Sequence, residues 1–224
     1  MKSMAQVKAV VFDLDGTLIA SNHDYDEMAR RVKLILGEVG VPTDALSQQG
    51  RIWEIIQEGV RSLQELDLPP ERIKDILGRI DEALNEVEVS SVGSVELKPG
   101  ATELLEHLRD RGIKIGIATR SCGEYARRSM EVSRLAGYFY VVLARDEVEF
   151  PKPDPRHLLQ IVEELDASPE SAVFVGDTET DQRTARAAGI PFIGVPSNES
   201  WRKRMEGKEG SVLVSTLSEI MEMI

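Results

Sequence analysis

At 224 residues the chain is long for one core and short for two full ones, so a main domain with a smaller insertion is the economical arrangement. Hydrophobic residues at 42% and charged residues at 29% describe an ordinary globular protein and exclude a disordered or fibrous one. A formal net charge of -12 excludes a general attraction to nucleic acid or anionic membranes, because both would repel an acidic surface.

Cys122 is the one cysteine and cannot form an internal disulfide. The opening MKSMAQVKAVVFDL holds no apolar run long enough for a signal-peptide core. No stretch approaches the roughly 20 apolar residues that cross a bilayer. Together these predict cytoplasmic residence.

The first predicted element is a buried strand in KAVVFDL, followed at once by Asp13, Asp15, Gly16 and Thr17. In an open parallel α/β sheet, ligands bind at the carboxyl ends of the strands. Two carboxylates one residue apart leave a strand end on the same side and can divide the work of nucleophile and acid/base. Gly16 lets the backbone approach a phosphate closely; the plainer role for such an Asp is to cap a turn.

From about Ser21 to Val95 strand-like runs vanish, and three or four amphipathic segments follow one another. In DYDEMARRVKLILGEVG, Met28, Val32, Ile35 and Leu36 recur at helical spacing behind an acidic first turn, which complements the helix dipole. RIWEIIQEGVRSLQEL and PPERIKDILGRIDEALNEV continue the bundle, the latter with proline at its start. The small residues of VSSVGSVELKPG suit a hinge back to the main domain.

Strands then alternate with helices. ATELLEHLRDRG places Leu104, Leu105 and Leu108 on one helical face and ends at Gly112, where glycine can close a helix in the left-handed conformation. IKIGIAT is a strand ending in Thr119, with a helix beginning near Ser121 or Gly123. A hydroxyl and free amides at a helix start suit phosphate oxygens, although Thr and Ser are also common caps.

YVVLA is the next strand and leads to EFPKPDPRHLL, where two prolines fix the backbone around Lys152. A lysine held there can neutralise a carboxylate and an incoming phosphate, or be a solvated charge. SAVFVGD ends in Asp177, with Asp181 four positions later in a helix that closes at Gly189. A hard cation such as Mg²⁺ prefers carboxylate, carbonyl and water oxygens, so Asp177 with Asp13 is a credible site. Asp181 could hold a coordinated water, cap the helix, or do both. PFIGV and SVLV complete the strands. Near-continuous apolar strands alternating with helices predict an α/β protein, a doubly wound parallel-sheet (Rossmann-like) core from residues 1–20 and 96–224 with a small all-helical domain at 21–95.

Taken in order, DLDGT, the Thr119 strand end, Lys152 in KPDP, and GDTETD resemble the four motifs of the haloacid dehalogenase superfamily over essentially the whole chain. The position of the helical insertion is similar to the cap of one branch of that family. The resemblance implies that Asp13 attacks phosphorus and becomes a phosphoaspartate, that Asp15 is the general acid and base, and that Mg²⁺ is held by Asp13, the Asp15 carbonyl and Asp177, with Asp181 reached through water. Gly16, Thr17, Thr119, Arg120 and Lys152 would hold the phosphoryl group. The expected partner is a small phosphorylated metabolite, with no nucleic acid and no membrane.

The dehalogenases of the family lack an acid at the position of Asp15 and use no metal, so Asp15 argues for phosphate chemistry. DLDGTLIAS, KPDP and ARAAG look most like phosphoglycolate phosphatase-like and related sugar-phosphate enzymes. Ala20, Arg120 and Arg183 depart from the usual pattern. Arg120 either adds a cationic contact to phosphate or faces solvent.

Gly50 and Arg51, in GRIW, resemble a loop that reads the leaving group, but Arg51 reads equally as a surface residue. Trp53 fits packing better than stacking. Cys122 lies close to Thr119, and His23 at the entry to the insertion, without the marks of a nucleophile or a ligand. Two other activities stay open: a sugar phosphomutase, against which the absence of histidine between Asp24 and Val95 counts, and a non-catalytic phosphate-binding protein.

Overall fold

The computed structural model describes residues 7–46, 52–66, 68–207 and 211–224. The chain divides into two compact units, Met1–Ser21 with Val92–Ile224, and Asn22–Ser91. The first unit opens with β1 (Ala9–Phe12) and β2 (Ile19–Ala20). The second holds α1 (Tyr25–Glu38), α2 (Ile52–Glu65) and α3 (Pro70–Ser90). The first then resumes with β3 (Glu96–Leu97), α4 (Ala101–Asp110), β4 (Lys114–Ala118), α5 (Gly123–Val132), β5 (Val141–Leu143), α6 (Pro155–Glu164) and β6 (Ala172–Gly176). It closes with α7 (Glu179–Ala188), β7 (Phe192–Gly194), α8 (Glu199–Met205) and β8 (Ser211–Leu213).

Six strands form one parallel sheet in the order β5-β4-β1-β6-β7-β8, the doubly wound core expected from the alternating pattern. The chain builds outward from β1 through β4 to β5, then crosses back to β6 on the other side of β1. The direction of winding therefore reverses beside β1, where open α/β sheets leave a crevice at their carboxyl edge. Phe12 is level with Ile117 on one side and Val175 on the other, so the residues following these three strands emerge together.

Both faces of β1 are covered, which is why its sequence is continuously apolar. Ala9 and Val11 join Leu158 and Ile161 of α6, Phe174 and Ala185 in one cluster, while Val10 and Phe12 are equally buried on the opposite face. Gly112 and Gly189, at φ +71 and +70, close α4 and α7 as the sequence predicts.

The short strands β2 and β3 pair antiparallel, Ile19 with Leu97 and Ala20 with Glu96. Within the stretch 89–100, α3 runs on through Ser90 and Glu96–Leu97 is a strand.

In the helical unit, Asp24 caps α1 by accepting from the Glu27 N–H at 2.8 Å, as its side chain favours. Met28, Val32, Ile35 and Leu36 pack with Ile55, Leu63, Ile76, Ile80 and Leu84. Trp53 is half-buried. His23 is buried, with Nδ1 2.8 Å from the Ser91 hydroxyl. Among the described residues no helix is long and apolar enough to cross a membrane.

Candidate active site

Asp13, Thr119 and Asp177 each follow the last residue of a central strand, β1, β4 and β6 respectively. The Asp13 N–H still donates to the Val175 carbonyl at 2.8 Å, and the Thr119 N–H to Leu143 at 3.1 Å. The sheet therefore positions three side chains that are 164 residues apart at the extremes, Asp13 to Asp177. All three are buried.

Lys152 arrives from the loop after β5, across a cis bond to Pro153. Its side chain is 1% exposed, and Nζ donates to Asp13 Oδ1 and to Asp181 Oδ1, both at 2.7 Å. Beneath it, Nζ stands 5.3 Å from the Phe174 ring centroid. Burial disfavours the ammonium, but the charges of Asp13 and Asp181 outweigh it and hold Lys152 above its ordinary range. One of its three N–H groups keeps no partner among the described residues.

Three carboxylates, those of Asp13, Asp177 and Asp181, offer oxygens within 4.8 Å of one another. Against them stands one buried ammonium. Burial first pushes Asp13 up to about 7, opposed by Lys152 and reinforced by Asp181. Burial and then repulsion from Asp13 and Asp181 push Asp177 up to about 8. A desolvated cluster with two surplus negative charges favours either protons or a divalent cation.

The donor set fits a hard cation. All its atoms are oxygen, and Asp177 Oδ1 is buried with no partner among the described residues. Asp181 is less available, because Oδ1 accepts from Lys152 while Oδ2 accepts from the Thr178 N–H at 3.0 Å and the Thr178 hydroxyl at 2.5 Å. It is not the helix cap. Thr178 caps α7, and Asp181 completes the capping box from the third helical position. Gly16, at φ +83, passes directly over the Asp177 carboxylate.

Thr17 is buried beside this group, its hydroxyl without a partner among the described residues. Thr119 Oγ1 accepts from the Ser121 N–H at 3.0 Å, which leaves its own proton to donate. Two amides at the start of α5 already have partners. Ser121 N–H is taken by Thr119, and Gly123 N–H donates to Asp146 at 2.8 Å.

Asp15 is half-buried. Its Oδ1 accepts from the Tyr125 hydroxyl at 2.7 Å and its Oδ2 from the Ser121 hydroxyl at 2.8 Å. Burial, with the charge of Asp15 beside it, pushes the Tyr125 phenol far above its usual range, so it remains a donor. Arg120 is half-buried, and its carbonyl accepts from Arg145 at 2.8 Å. Arg183 is exposed. Cys122 is buried at the start of α5 and not accessible. Gly50 and Arg51 lie outside the described residues.

Sequence reasoning passed over three residues. Tyr125 carries no signal in the sequence, Ser121 marks only the start of a helix, and the fold alone brings both to Asp15. His157 accepts from the Lys152 N–H through Nδ1 at 3.1 Å and so donates from Nε2 to the Leu143 carbonyl at 3.0 Å. Burial, and then the charge of Lys152, hold it down at about 4. A histidine five residues after a proline-flanked lysine was the one signal available.

A family model described as haloacid dehalogenase-like hydrolase matches residues 10–195. Phosphoglycolate phosphatase of Escherichia coli is 26% identical over 243 residues, 99% of this chain and 94% of that protein. The fold is similar to that of CbbY from Rhodobacter sphaeroides, solved in complex with phosphate, with TM-score 0.62 and 23% identity over 96% of each chain. It is also similar to a Thermotoga maritima structure ascribed to a beta-phosphoglucomutase, with TM-score 0.60 and 25% identity over 97% of this chain and 98% of that one.

Proposed function

Because the chain belongs to the haloacid dehalogenase-like hydrolases, we propose that it is a Mg²⁺-dependent phosphomonoesterase acting on a small phosphorylated metabolite such as 2-phosphoglycolate. The observation that carries the reading is Asp13, a buried strand-end carboxylate that holds Lys152 through Oδ1 and offers an oxygen within 4.8 Å of those of Asp177 and Asp181. The 26% identity to a phosphoglycolate phosphatase over nearly the whole chain supports the choice of substrate class.

Asp13 is the nucleophile. Its free oxygen attacks phosphorus, the bond to the leaving oxygen breaks, and Asp15 supplies that oxygen with a proton. Lys152 and Thr119 donate to the phosphoryl oxygens, with Thr17 and Gly16 lining the approach and Arg120 beside it. Water then attacks the phosphoaspartate, gives its proton to Asp15, and inorganic phosphate leaves with Asp13 restored. Mg²⁺ held by Asp13, Asp177 and the Asp15 carbonyl, with Asp181 behind a water, would offset repulsion between carboxylate and phosphate and stabilise charge in the transition state. The helical unit, with Gly50 and Arg51, is the part of the chain to which we ascribe recognition of the leaving group.

The test is phosphate release from a panel of phosphorylated metabolites. Release should require Mg²⁺ and disappear in Asp13→Asn. Isomerisation of a hexose 1-phosphate without free phosphate would replace hydrolysis by mutase chemistry, and inertness toward the whole panel would end the enzymatic reading.

A further inference from the structure

The geometry around Asp15 points to Tyr125 and Ser121 as the residues that position the general acid, and so determine which leaving groups the enzyme can expel. This inference rests on the assignment of Asp15 to acid/base work. A carboxylate on a loop after a strand turns freely about its last bond unless both oxygens are held. Here both are. The Tyr125 hydroxyl donates to Oδ1 at 2.7 Å and the Ser121 hydroxyl to Oδ2 at 2.8 Å, full-strength lengths for hydroxyl donors.

The two donors come from the segment that follows β4, not from the Asp15 loop itself. Tyr125 lies in the first turn of α5 and is fully buried, so its ring cannot swing without opening the core. Ser121 links two parts of the site, because its N–H orients the Thr119 hydroxyl at 3.0 Å while its own hydroxyl orients Asp15. One short segment thus sets the acid against the phosphate-binding threonine.

A merely structural tyrosine would spend its hydroxyl on any nearby acceptor, commonly a carbonyl. Its replacement would then slow all substrates alike. A positioning tyrosine has a different signature. Protonation matters most when the departing oxygen is a poor leaving group, an alkoxide, and least when it is a stabilised phenolate. The ratio kcat/KM isolates the first phosphoryl transfer, in which that oxygen departs.

The experiment compares 2-phosphoglycolate with p-nitrophenyl phosphate for the full chain, Tyr125→Phe and Ser121→Ala, in saturating Mg²⁺. In Tyr125→Phe the alkyl-to-aryl ratio of kcat/KM should fall at least about tenfold, a part of the roughly 10²–10⁴-fold that a positioned acid contributes, with Ser121→Ala falling in the same direction. Equal loss on both substrates, or no loss, overturns the inference. Failure of the unaltered chain to hydrolyse either ester would instead overturn the acid/base reading beneath it. A crystal structure of Tyr125→Phe gives a readout independent of turnover. The Asp15 carboxylate should rotate from its present plane, and an unmoved carboxylate counts against the inference. Should Tyr125→Phe not fold, Ser121→Ala carries the same comparisons.

Discussion

Gly16 and Asp177 meet so closely that a Cβ on the glycine would lie 2.7 Å from the Asp177 carboxyl carbon. The glycine also sits at φ +83, a conformation that costs other residues roughly 1–2 kcal/mol. Position 16 therefore decides where the Asp177 carboxylate stands.

Gly16→Ala should displace Asp177 and weaken Mg²⁺ binding at least about tenfold, equivalent to roughly 1.4 kcal/mol, with a matching loss of phosphatase activity at low Mg²⁺. Isothermal titration of the metal into the variant measures this directly. Affinity within twofold of the original chain would show that the carboxylate is placed by something else.

Crowded acids make metal binding and pH interdependent. Asp13 and Asp177 rise from 3.8 to about 7 and about 8, so in the metal-free protein they hold protons more tightly when folded than when unfolded. Their contribution favours the fold below about pH 4 and is lost as pH rises toward 8. Mg²⁺ must displace those protons, and its affinity rises over the same interval. The increase in Tm on adding Mg²⁺ should thus be larger at pH 8 than at pH 5.5. An equal increase at both pH values would refute the account.

His157 works in the opposite direction. It falls from 6.5 to about 4, so its neutral form favours the fold above pH 6.5, and that contribution is lost as pH falls from 6.5 to 4. The shift corresponds to about 3 kcal/mol at 1.36 kcal/mol per unit. His157→Gln keeps one acceptor and one donor but cannot gain charge. Urea unfolding at pH 7 and pH 4 should show a smaller loss of stability for the variant than for the original chain. Parallel losses would place the acid sensitivity elsewhere.

Much of this was legible from local pattern. Every strand of the sheet is a short apolar run, and Asp13, Thr119 and Asp177 are the residues at which those runs stop. The helical insertion announced itself by a change of period. The strand at Glu96–Leu97 was not legible, because it depends on a partner at Ile19–Ala20. At the start of α5 the amide of Gly123 is taken by Asp146, 23 residues away, a pairing with no local signature.

What the sequence determined by itself is the order and type of elements and the chemical identity of the groups at their ends, because periodicity and turn residues act over a few neighbours. What only the tertiary structure decided is who faces whom. Lys152 reaches Asp13 across 139 positions and Tyr125 reaches Asp15 across 110. Such pairings carry no local signature. They exist because parallel strands in one register deliver distant segments to the same edge of the sheet, and burial there leaves each charge only the partners that the fold supplies.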